Sequence, residues 1–309
     1  MKEKIGRYVL DAPLKADHSG FSRWGFGQCQ GRGYFIKEFL SPVYPEDEEK
    51  IGPERAARMK VLCGTYERKQ QQLYQKINQC SDGNLLRIHE FFRYGSKYYI
   101  STRKICALTM EEVLAAPWQD RLRLCRSLAH SLNCLHQAGL VCGDVKLDNI
   151  LFHRTGAGTV AAKMTDFDNC FQESSPPEDS EEVAADLVYM APETNLMMAG
   201  KETGLNRKLD VFAMGLVFHQ LLTGRLPGFD TGEYEYPFQC VLSGKSLLLG
   251  KEIKDELYVM LSGMLQADPE KRLDMAEAFR LLGGKAAAPV PGSAPVKKDA
   301  VGFMPAGDL

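Results

Sequence analysis

The sequence predicts an α+β fold in which a small β-rich lobe is followed by a larger, mainly helical lobe. Short apolar runs of strand type, separated by Gly-rich turns, fill the first third of the chain. Helical apolar periodicity dominates from Thr109 onward. A chain of 309 residues is also long enough for two lobes, each with its own hydrophobic core, around one cleft.

Strands and one long helix are predicted in the N-terminal lobe, which we place at residues 8–103. The predicted strands are RYVL, FSRWGFGQC, GYFIKEFL and KYYIS. The helix covers much of Arg55 to Asn78, because apolar residues recur there at roughly helical spacing. These residues are Met59, Leu62, Cys63, Tyr66, Leu73, Tyr74 and Ile77.

Helices dominate the C-terminal lobe, which we place at residues 104–283. The segment RLRLCRSLAHSLNCLHQAG carries an apolar stripe and ends at a glycine, Gly139. The stripe consists of Leu124, Leu128, Leu132 and Leu135. Further helices are predicted at LDVFAMGLVFHQLLTG, EIKDELYVMLSGML and MAEAFRLLGG.

The last residues, 284–309, are rich in Ala, Pro, Gly and Val and show neither helical nor strand periodicity. This composition predicts a flexible tail. Two interpretations stay open. The tail either has no role or serves as a tether, with the pair Phe303 and Met304 as an anchor for a partner.

Composition and charge exclude several classes of function. The formal net charge is −2, so the clustered Lys and Arg of a nucleic-acid-binding face are not expected. Nine cysteines are scattered without a C-x-x-C pair, which predicts reduced thiols rather than a zinc site or a disulfide framework. The chain has neither the apolar core of a signal peptide nor an apolar run of membrane-spanning length. We therefore expect a cytoplasmic protein without nucleic-acid or membrane partners.

The strongest chemical pattern begins at Asp144. This carboxylate can accept or orient a hydroxyl proton, and Asn149 follows in the same loop. Asp166 comes next, across a predicted hairpin of two apolar strands. Phosphoryl transfer needs such a set: a carboxylate beside the nucleophile, hard oxygen ligands for Mg²⁺, and fixed cations for the transferred phosphate.

In this order, D-x-K, Asn and D-F-x resemble the catalytic and metal-binding loops of eukaryotic-like serine/threonine protein kinases. Other motifs follow in the family's order. Met190 to Glu193 is similar to the A-P-E that closes the activation segment, and Asp210 begins a segment similar to the buried helix that anchors the catalytic loop. Arg272 matches the arginine that pairs with the A-P-E glutamate. The resemblance implies a bilobal protein-kinase-like fold.

The resemblance also assigns roles to the residues of the loops. Asp144 orients the accepting hydroxyl, and Lys146 stabilises charge on the γ-phosphate of ATP. The position of Lys146 is typical of the serine/threonine class. Asn149 and Asp166 hold Mg²⁺. The implied partner is a protein substrate that accepts phosphate on Ser or Thr.

The nucleotide side departs from the family pattern. Lys37 resembles the strand lysine that holds the α- and β-phosphates. The segment aligned with the Gly-rich loop keeps only Gly20, because Asp17, Ser19 and Ser22 occupy the three positions of the family's glycines. Glycines let backbone N–H groups approach phosphate closely, so we expect this loop to hold phosphate less tightly or differently.

Two further side chains are expected near the adenine. Phe35 replaces a small residue and narrows the pocket, whereas Thr102, at the gatekeeper position, leaves space deeper in. The partner of Lys37 stays open. Gln70 aligns with the family's helix glutamate, and Glu67 lies one turn earlier. Only Glu67 can form an ion pair with Lys37.

Activity is predicted to be independent of phosphorylation in the segment 166–186. Cys142 and Gly143 replace the His-Arg that precedes the catalytic Asp, so the arginine that binds a phosphorylated loop is absent. The segment has no Lys or Arg, and a phosphate there would be repelled by its acidic residues. These are Glu173, Glu178, Asp179, Glu181 and Glu182.

Three functions remain open. The first is an active kinase that uses ATP and Mg²⁺. The second is a pseudokinase that binds partners without turnover, favoured by Phe35 and the altered Gly-rich loop. The third is a small-molecule phosphotransferase, against which the A-P-E segment, Lys146 and Arg272 count. We predict the first, because a domain without turnover has no physical need for two metal ligands.

Overall fold

The computed structural model describes residues 3–16, 22–81, 83–179, 183, 185–201, 203–284 and 303–304. The chain divides into two compact units. The first contains residues 1–79, 86–105 and 292–309, and the second contains residues 80–85 and 106–291. No helix in the part of the chain described here is long and apolar enough to cross a membrane.

The first unit is built on a sheet of seven strands. They are β1 (Lys4–Ile5), β2 (Tyr8–Leu10), β3 (Ser22–Cys29), β4 (Arg32–Phe39), β5 (Ile88–Tyr94), β6 (Lys97–Arg103) and β11 (Phe303–Met304). Their order in the sheet is β1-β2-β3-β4-β6-β5-β11, and all neighbouring strands pair antiparallel except β11, which runs parallel to β5. The four strands predicted from sequence are thus confirmed as β2, β3, β4 and β6, and β1, β5 and β11 are additions.

Alternation along β4 separates the two faces of this sheet. Tyr34 and Ile36 point into a core that also contains Tyr8, Phe92 and Tyr99. Every second residue of a strand faces the same side. Phe35 and Lys37 therefore lie on the opposite face.

Two helices belong to this unit: α1 (Glu48–Ile51) and α2 (Pro53–Cys80). The predicted long helix is confirmed, and Cys63, Leu73, Tyr74 and Ile77 are buried as expected. Leu62 is an exception, because its side chain is 66 % exposed. Helical periodicity gives the direction of a side chain but does not tell whether a neighbouring element lies there.

Helices form most of the second unit. They are α3 (Met110–Leu114), α4 (Trp118–Gln137), α5 (Pro192–Met198), α6 (Lys208–Thr223), α7 (Pro237–Leu242), α8 (Asp255–Met264) and α9 (Met275–Leu281). The predicted stripe of α4 is confirmed, since all four leucines are buried. Helix α6 is buried on all sides, and it ends at Gly224 in the left-handed conformation.

Two small antiparallel strand pairs flank the loops that contain Asp144 and Asp166. The strands β8 (Ile150–Arg154) and β9 (Val160–Met164) form the predicted hairpin, with Ile150 opposite Met164. The strands β7 (Leu140–Val141) and β10 (Phe171–Gln172) pair with Val141 opposite Phe171. All nine cysteines lie in the described residues, and none of them is paired in a disulfide.

The tail contains one feature that the sequence did not indicate. No strand is predicted after residue 284, yet the backbone of Phe303–Met304 pairs with Phe91 and Phe92 of β5. A two-residue strand is too short to produce a periodic signal. The other residues of the tail from 285 onward lie outside the described residues.

Candidate active site

The loop that carries Asp144 is held by a buried carboxylate, Asp210 of α6. Its Oδ2 accepts a hydrogen bond from the backbone N–H of Cys142 at 2.7 Å, and its Oδ1 accepts one from Gly143 at 2.9 Å. His136 at the end of α4 lies with Nε2 2.8 Å from the same carboxylate. Hydrogen bonds to a buried charged group are among the stronger ones in proteins. The loop is therefore fixed through its backbone.

Gly143 explains why no arginine precedes Asp144 in this chain. Its φ angle is +81°, in the left-handed region that favours glycine. A Cβ at this position would lie 2.4 Å from the carbonyl oxygen of Asn169. Both the backbone angle and this close approach exclude a side chain.

Three of the predicted site residues lie together in this loop. The Nζ of Lys146 is 2.9 Å from Oδ2 of Asp144. The Nδ2 of Asn149 donates to the same oxygen at 3.0 Å and to the backbone carbonyl of Asp144 at 2.8 Å. Asn149 ends a short 3-10 turn, Leu147–Asn149, that leads into β8. The Asp144 carboxylate is thus oriented by one cation and one amide.

The β8–β9 hairpin brings Asp166 to the same end of the second unit as Asn149. The backbone N–H of Thr165 donates to the carbonyl of Asn149 at 2.8 Å, and the Thr165 hydroxyl donates to the same carbonyl at 3.1 Å. Asp166 itself is exposed and has a φ angle of +56°, which is uncommon outside glycine. Such strained positions concentrate at functional sites.

The donors on Asn149 and Asp166 suit Mg²⁺. An amide oxygen and a carboxylate are hard ligands of the kind this ion prefers, and Mg²⁺ usually completes its shell with water and phosphate. The described residues contain no group of three or more His, Cys, Asp or Glu side chains that could hold a metal.

A recess of about 270 Å³, which includes solvent-filled space, adjoins the Asp144 carboxylate. Asp186 and Tyr189 line its other side. Oδ2 of Asp186 lies 4.0 Å from Nζ of Lys146, so this lysine is placed between two carboxylates. The Asp186 side chain also caps its own turn, because Oδ1 accepts from the N–H of Val188 at 2.9 Å.

The segment after Asp166 is anchored by an ion pair. The guanidinium of Arg207 donates from Nε to both carboxylate oxygens of Glu173, at 2.8 and 2.9 Å, and the Arg207 N–H donates to Oε1 at 3.0 Å. These bonds hold the pKa of Glu173 below its usual value. One residue of the acidic segment is therefore bound to a fixed cation. Ser180, Glu181 and Glu182 lie outside the described residues.

The predicted pair of Glu193 and Arg272 is confirmed. The two guanidinium nitrogens of Arg272 donate to the two carboxylate oxygens at 2.7 and 3.0 Å. The side chains are 3 % and 0 % exposed. Further bonds from Arg272 reach the carbonyls of Gln266, Ala267 and Lys208. The pair fastens α5 to the chain that follows α8.

On the sheet of the first unit, Lys37 is 8 % exposed and lies opposite Trp24 and Ile100. Thr102 and Ser22 are buried. The Glu67 carboxylate accepts a hydrogen bond from the Tyr98 hydroxyl at 2.7 Å. Gly20, with the neighbouring Asp17 and Ser19, lies outside the described residues.

Sequence reasoning missed the residues that hold the site rather than those that form it. It recognised the helix of Asp210 but not the two backbone N–H groups that this carboxylate binds. No sequence motif indicated the roles of His136 and Arg207. For Gly143, the signal was present as a glycine between two motif residues, but its reason is the approach of Asn169, which is distant in sequence.

Comparison with known proteins fits this geometry. The family model of the protein kinase domain matches residues 60–281. The chain therefore belongs to the protein kinase family, and its fold is kinase-like.

Individual relatives are more distant. A Saccharomyces cerevisiae protein whose provisional name is serine/threonine-protein kinase is 30 % identical over 152 residues, which are 49 % of this chain and 15 % of the relative. Protein kinase C zeta type of Oryctolagus cuniculus is 29 % identical over 149 residues, 46 % of this chain and 24 % of the relative. Atypical protein kinase C of Drosophila melanogaster is 28 % identical over 151 residues, 46 % of this chain and 23 % of the relative. The chain thus spans less than a quarter of the length of these relatives.

Proposed function

We propose that this chain transfers the γ-phosphoryl group of ATP to Ser or Thr hydroxyls of a protein substrate. The observation that carries the proposal is the arrangement around Asp144, whose Oδ2 lies 2.9 Å from Lys146 Nζ and 3.0 Å from Asn149 Nδ2. An oriented carboxylate beside a fixed cation is what phosphoryl transfer to a hydroxyl requires. The two compact units would be the two lobes, with residues 8–103 and 104–283 as their extents.

In the reaction, Asp144 would accept a hydrogen bond from the substrate hydroxyl and aim its oxygen at the phosphorus. Lys146, already beside that carboxylate, would balance negative charge that develops on the transferred group. Asn149 and Asp166 would hold Mg²⁺, which when bound neutralises phosphate charge.

Nucleotide binding would fall to the first unit. Lys37 would hold the α- and β-phosphates, and Gly20 with Ser22 would cover them. Thr102 would lie near the base. Glu67 would orient Lys37 through an ion pair. In the structure, the Glu67 carboxylate accepts a hydrogen bond from the Tyr98 hydroxyl. A carboxylate accepts several hydrogen bonds, so the bond from Tyr98 is compatible with an ion pair between Glu67 and Lys37.

We also propose that activity does not require phosphorylation of the activation segment. Glu173 supports this, because its carboxylate already makes the contact with an arginine, Arg207, that an added phosphate makes in a regulated segment. Gly143 supports it as well, since no arginine fits before Asp144. The thiol state of the cysteines is in keeping with a cytoplasmic location.

The experiment is transfer of labelled phosphate from ATP to a generic basic protein in the presence of Mg²⁺. Asp144→Ala and Asp166→Ala are each expected to lower the rate by about 100-fold or more. Asp148→Ala is the matched control, because this aspartate is exposed in the same loop. Equal rates for wild type and both variants would overturn the proposal. The Ser174→Ala, Ser175→Ala double variant should keep wild-type activity, and its loss would refute the regulatory part.

A second candidate is a binding module that retains the fold without turnover. It is favoured by Gln70, which aligns with the family's helix glutamate and whose Oε1 is buried without a hydrogen-bond partner among the described residues. An amide at this position cannot form an ion pair with a lysine. A wild-type protein that binds a partner and transfers no phosphate would establish this alternative.

A further inference from the structure

Two cysteines face each other at the end of the β7–β10 strand pair in the second unit. These strands pair antiparallel, with Val141 opposite Phe171. Continued by one residue along each chain, this register places Cys142 opposite Cys170. Both residues are buried, at 2 % and 6 % exposure. Two thiols from distant parts of the sequence are thus enclosed side by side.

The register holds on both sides of this cysteine pair. At the next facing position, a Cβ on Gly143 would lie 2.4 Å from the carbonyl oxygen of Asn169. At the other end of the strands, the backbone N–H of Glu173 donates to the carbonyl of Gly139 at 2.9 Å. Both contacts join residues that the β7–β10 register sets opposite each other.

The cysteines form the kind of facing pair whose side chains come closest. Facing pairs of an antiparallel ladder alternate between pairs that exchange backbone hydrogen bonds and pairs that do not. The bond made by Glu173 fixes this alternation, so Cys142 and Cys170 form a pair without such bonds. In agreement, the Cys142 N–H donates to Asp210 at 2.7 Å. The Cys170 N–H donates to the Phe167 carbonyl at 3.2 Å.

This geometry suits a disulfide. The Cα atoms of a facing pair without backbone bonds are about 4.5 Å apart. Disulfides join residues whose Cα atoms are about 4.4–6.8 Å apart. The thiols of Cys142 and Cys170 already share a hydrogen bond, which together with burial raises the pKa of Cys170 well above its usual range. A disulfide between them therefore needs little movement of the backbone.

We propose that Cys142 and Cys170 are a redox-sensitive pair that hydrogen peroxide oxidises to a disulfide. First, one thiolate attacks a peroxide oxygen, the O–O bond breaks, and a sulfenic acid and hydroxide form. The hydroxide takes up the proton that the thiol released. The second thiol then attacks the sulfenic sulfur, the S–S bond forms, and the sulfenic oxygen leaves as water. The two sulfurs lose two electrons in total, and these reduce one peroxide to two waters.

The disulfide would close a ring that contains the residues proposed for phosphoryl transfer. The ring runs from Cys142 to Cys170 and includes Asp144, Lys146, Asn149 and Asp166. A cross-link stabilises a fold mainly by restricting the unfolded chain. Oxidation should therefore tie the loop of Asp144 to the loop of Asp166 and make the chain harder to unfold.

Burial should make this oxidation slow. The thiolate is the form that reacts, and the surroundings of Cys170 disfavour it. Cys106, by contrast, is exposed. Peroxide should therefore oxidise Cys106 first. The buried pair should react when the two short strands open transiently, because short elements with few hydrogen bonds open more readily than the core.

Mass spectrometry of the full chain after peroxide treatment tests the pair. Remaining thiols are blocked with N-ethylmaleimide before digestion, so that no new disulfide forms. Trypsin places Cys142 and Cys170 on different peptides, because it cleaves after Lys146 and Lys163. We expect these two peptides to be linked in oxidised wild type and to separate on reduction with dithiothreitol.

Matched variants assign the link. Cys142→Ala and Cys170→Ala should each abolish it. Cys134 shares a tryptic peptide with Cys142, so Cys134→Ser is the control and should keep the link. Complete oxidation of Cys106 without a linked peptide in wild type would overturn the inference, and so would loss of the link in Cys134→Ser. Wild type and Cys134→Ser suffice for this decision even if an alanine variant does not fold.

Chemical denaturation gives the second arm. Oxidation should lower the unfolding equilibrium constant of wild type by about 30-fold or more, the effect of a disulfide that fits the native structure. Dithiothreitol should reverse the change. Cys106→Ser should respond as wild type does, whereas Cys170→Ala should not respond. A linked protein that is no more stable than the reduced one would refute the inference that the native strands accommodate the disulfide.

Neither arm measures phosphoryl transfer, so this inference and the proposed function can fail separately. If the link forms in a chain that transfers no phosphate, the proposed function fails and the redox-sensitive pair stands. If the chain transfers phosphate and no link forms, the redox-sensitive pair alone fails.

Discussion

The loop of Asp144 in the second unit and the sheet face that carries Trp24, Phe35 and Lys37 in the first unit depart from the family pattern in different ways. In the loop, Cys142 and Gly143 differ from the pattern, yet both are held through backbone N–H groups by Asp210. On the sheet, the departures are the side chains of Trp24 and Phe35 themselves, whose ring centroids lie 5.9 Å apart. A substitution at either position therefore changes the surface of the sheet directly.

The difference teaches where a fold tolerates substitution. A loop fixed by backbone hydrogen bonds keeps its path when its side chains change, because every residue except proline carries the same N–H donor. The surface of a sheet face, by contrast, consists of side chains. The backbone of the Asp144 loop can thus keep its path when its side chains change, whereas substitutions on the sheet face change the surface itself. Four predictions, from the largest expected effect to the smallest, test this contrast.

Arg272→Ala is expected to have the largest effect on stability. It leaves the Glu193 carboxylate buried without its partner, and breaking a buried ion pair in this way costs about 3–5 kcal/mol of unfolding free energy. Chemical denaturation measures the loss. Arg225→Ala is the control, because its pair with Glu252 is exposed and the midpoint should hardly move. A small change for Arg272→Ala would mean that the second unit is not fastened at this point.

Gly143→Ala tests whether the loop is fixed by its backbone. The alanine must adopt a φ of +81° and place a Cβ 2.4 Å from the Asn169 oxygen. A strained angle alone costs about 1–2 kcal/mol, and the contact adds to it. Gly200→Ala is the matched control, since Gly200 has a φ of +74° and open space around it. Equal losses of unfolding free energy in the two variants would show that Asn169 does not constrain the loop.

Tyr8→Phe probes the core side of the sheet in the first unit. The Tyr8 hydroxyl donates to Oε2 of buried Glu90 at 2.6 Å and lies 2.8 Å from the Ser101 hydroxyl. Burial and the Glu90 carboxylate raise the pKa of Tyr8. Loss of the Tyr8 hydroxyl should lower the free energy of unfolding by about 1–3 kcal/mol, measured by thermal or chemical denaturation. The proposed ATP binding should be unaffected, because Tyr8 packs with Ile36 on the face opposite Lys37. Weaker ATP binding in Tyr8→Phe would contradict this separation of the two faces.

The smallest effect concerns Glu173 and pH. Its pKa is depressed in the folded chain, so its contribution to stability is present above the ordinary glutamate pKa of about 4.3 and is lost as pH falls through the lower folded value. Partly exposed ion pairs contribute less than about 1 kcal/mol. The stability difference between wild type and Glu173→Gln should therefore be constant from neutral pH to about pH 5 and shrink below it. If the stability difference between wild type and Glu173→Gln grew on acidification, the pKa of Glu173 could not be depressed in the folded chain.

Much of the fold could be predicted from the sequence because its signals are local. The apolar stripe of α4 and the strand character of β4 are set by neighbouring residues, and the structure confirms both. Leu62 shows the limit. It fits the helical period, but its side chain is exposed. Whether a neighbouring element covers a residue depends on tertiary packing, which the local sequence does not show.

The candidate site divides in the same way. Asp144, Lys146 and Asn149 were predicted from one short motif, and the structure brings them within hydrogen-bonding distance. Asp210, which holds this motif, lies more than 60 residues further along the chain, and Arg207 is about as distant in sequence from its partner Glu173 as α6 is from β10. Their contacts depend on how α4, α6 and β10 pack, which no local pattern encodes.

Gly143 also bears on how this chain could change over evolutionary time or in the laboratory. An arginine at that position would require the Asn169 carbonyl to move first, and Asn169 sits in the loop that carries Asp166. Two loops must therefore change together, and each single step passes through a less stable protein. An arginine at residue 143 is thus separated from this sequence by a coupled pair of changes, and we expect a library that varies residue 143 alone to yield few stable variants with a large side chain there.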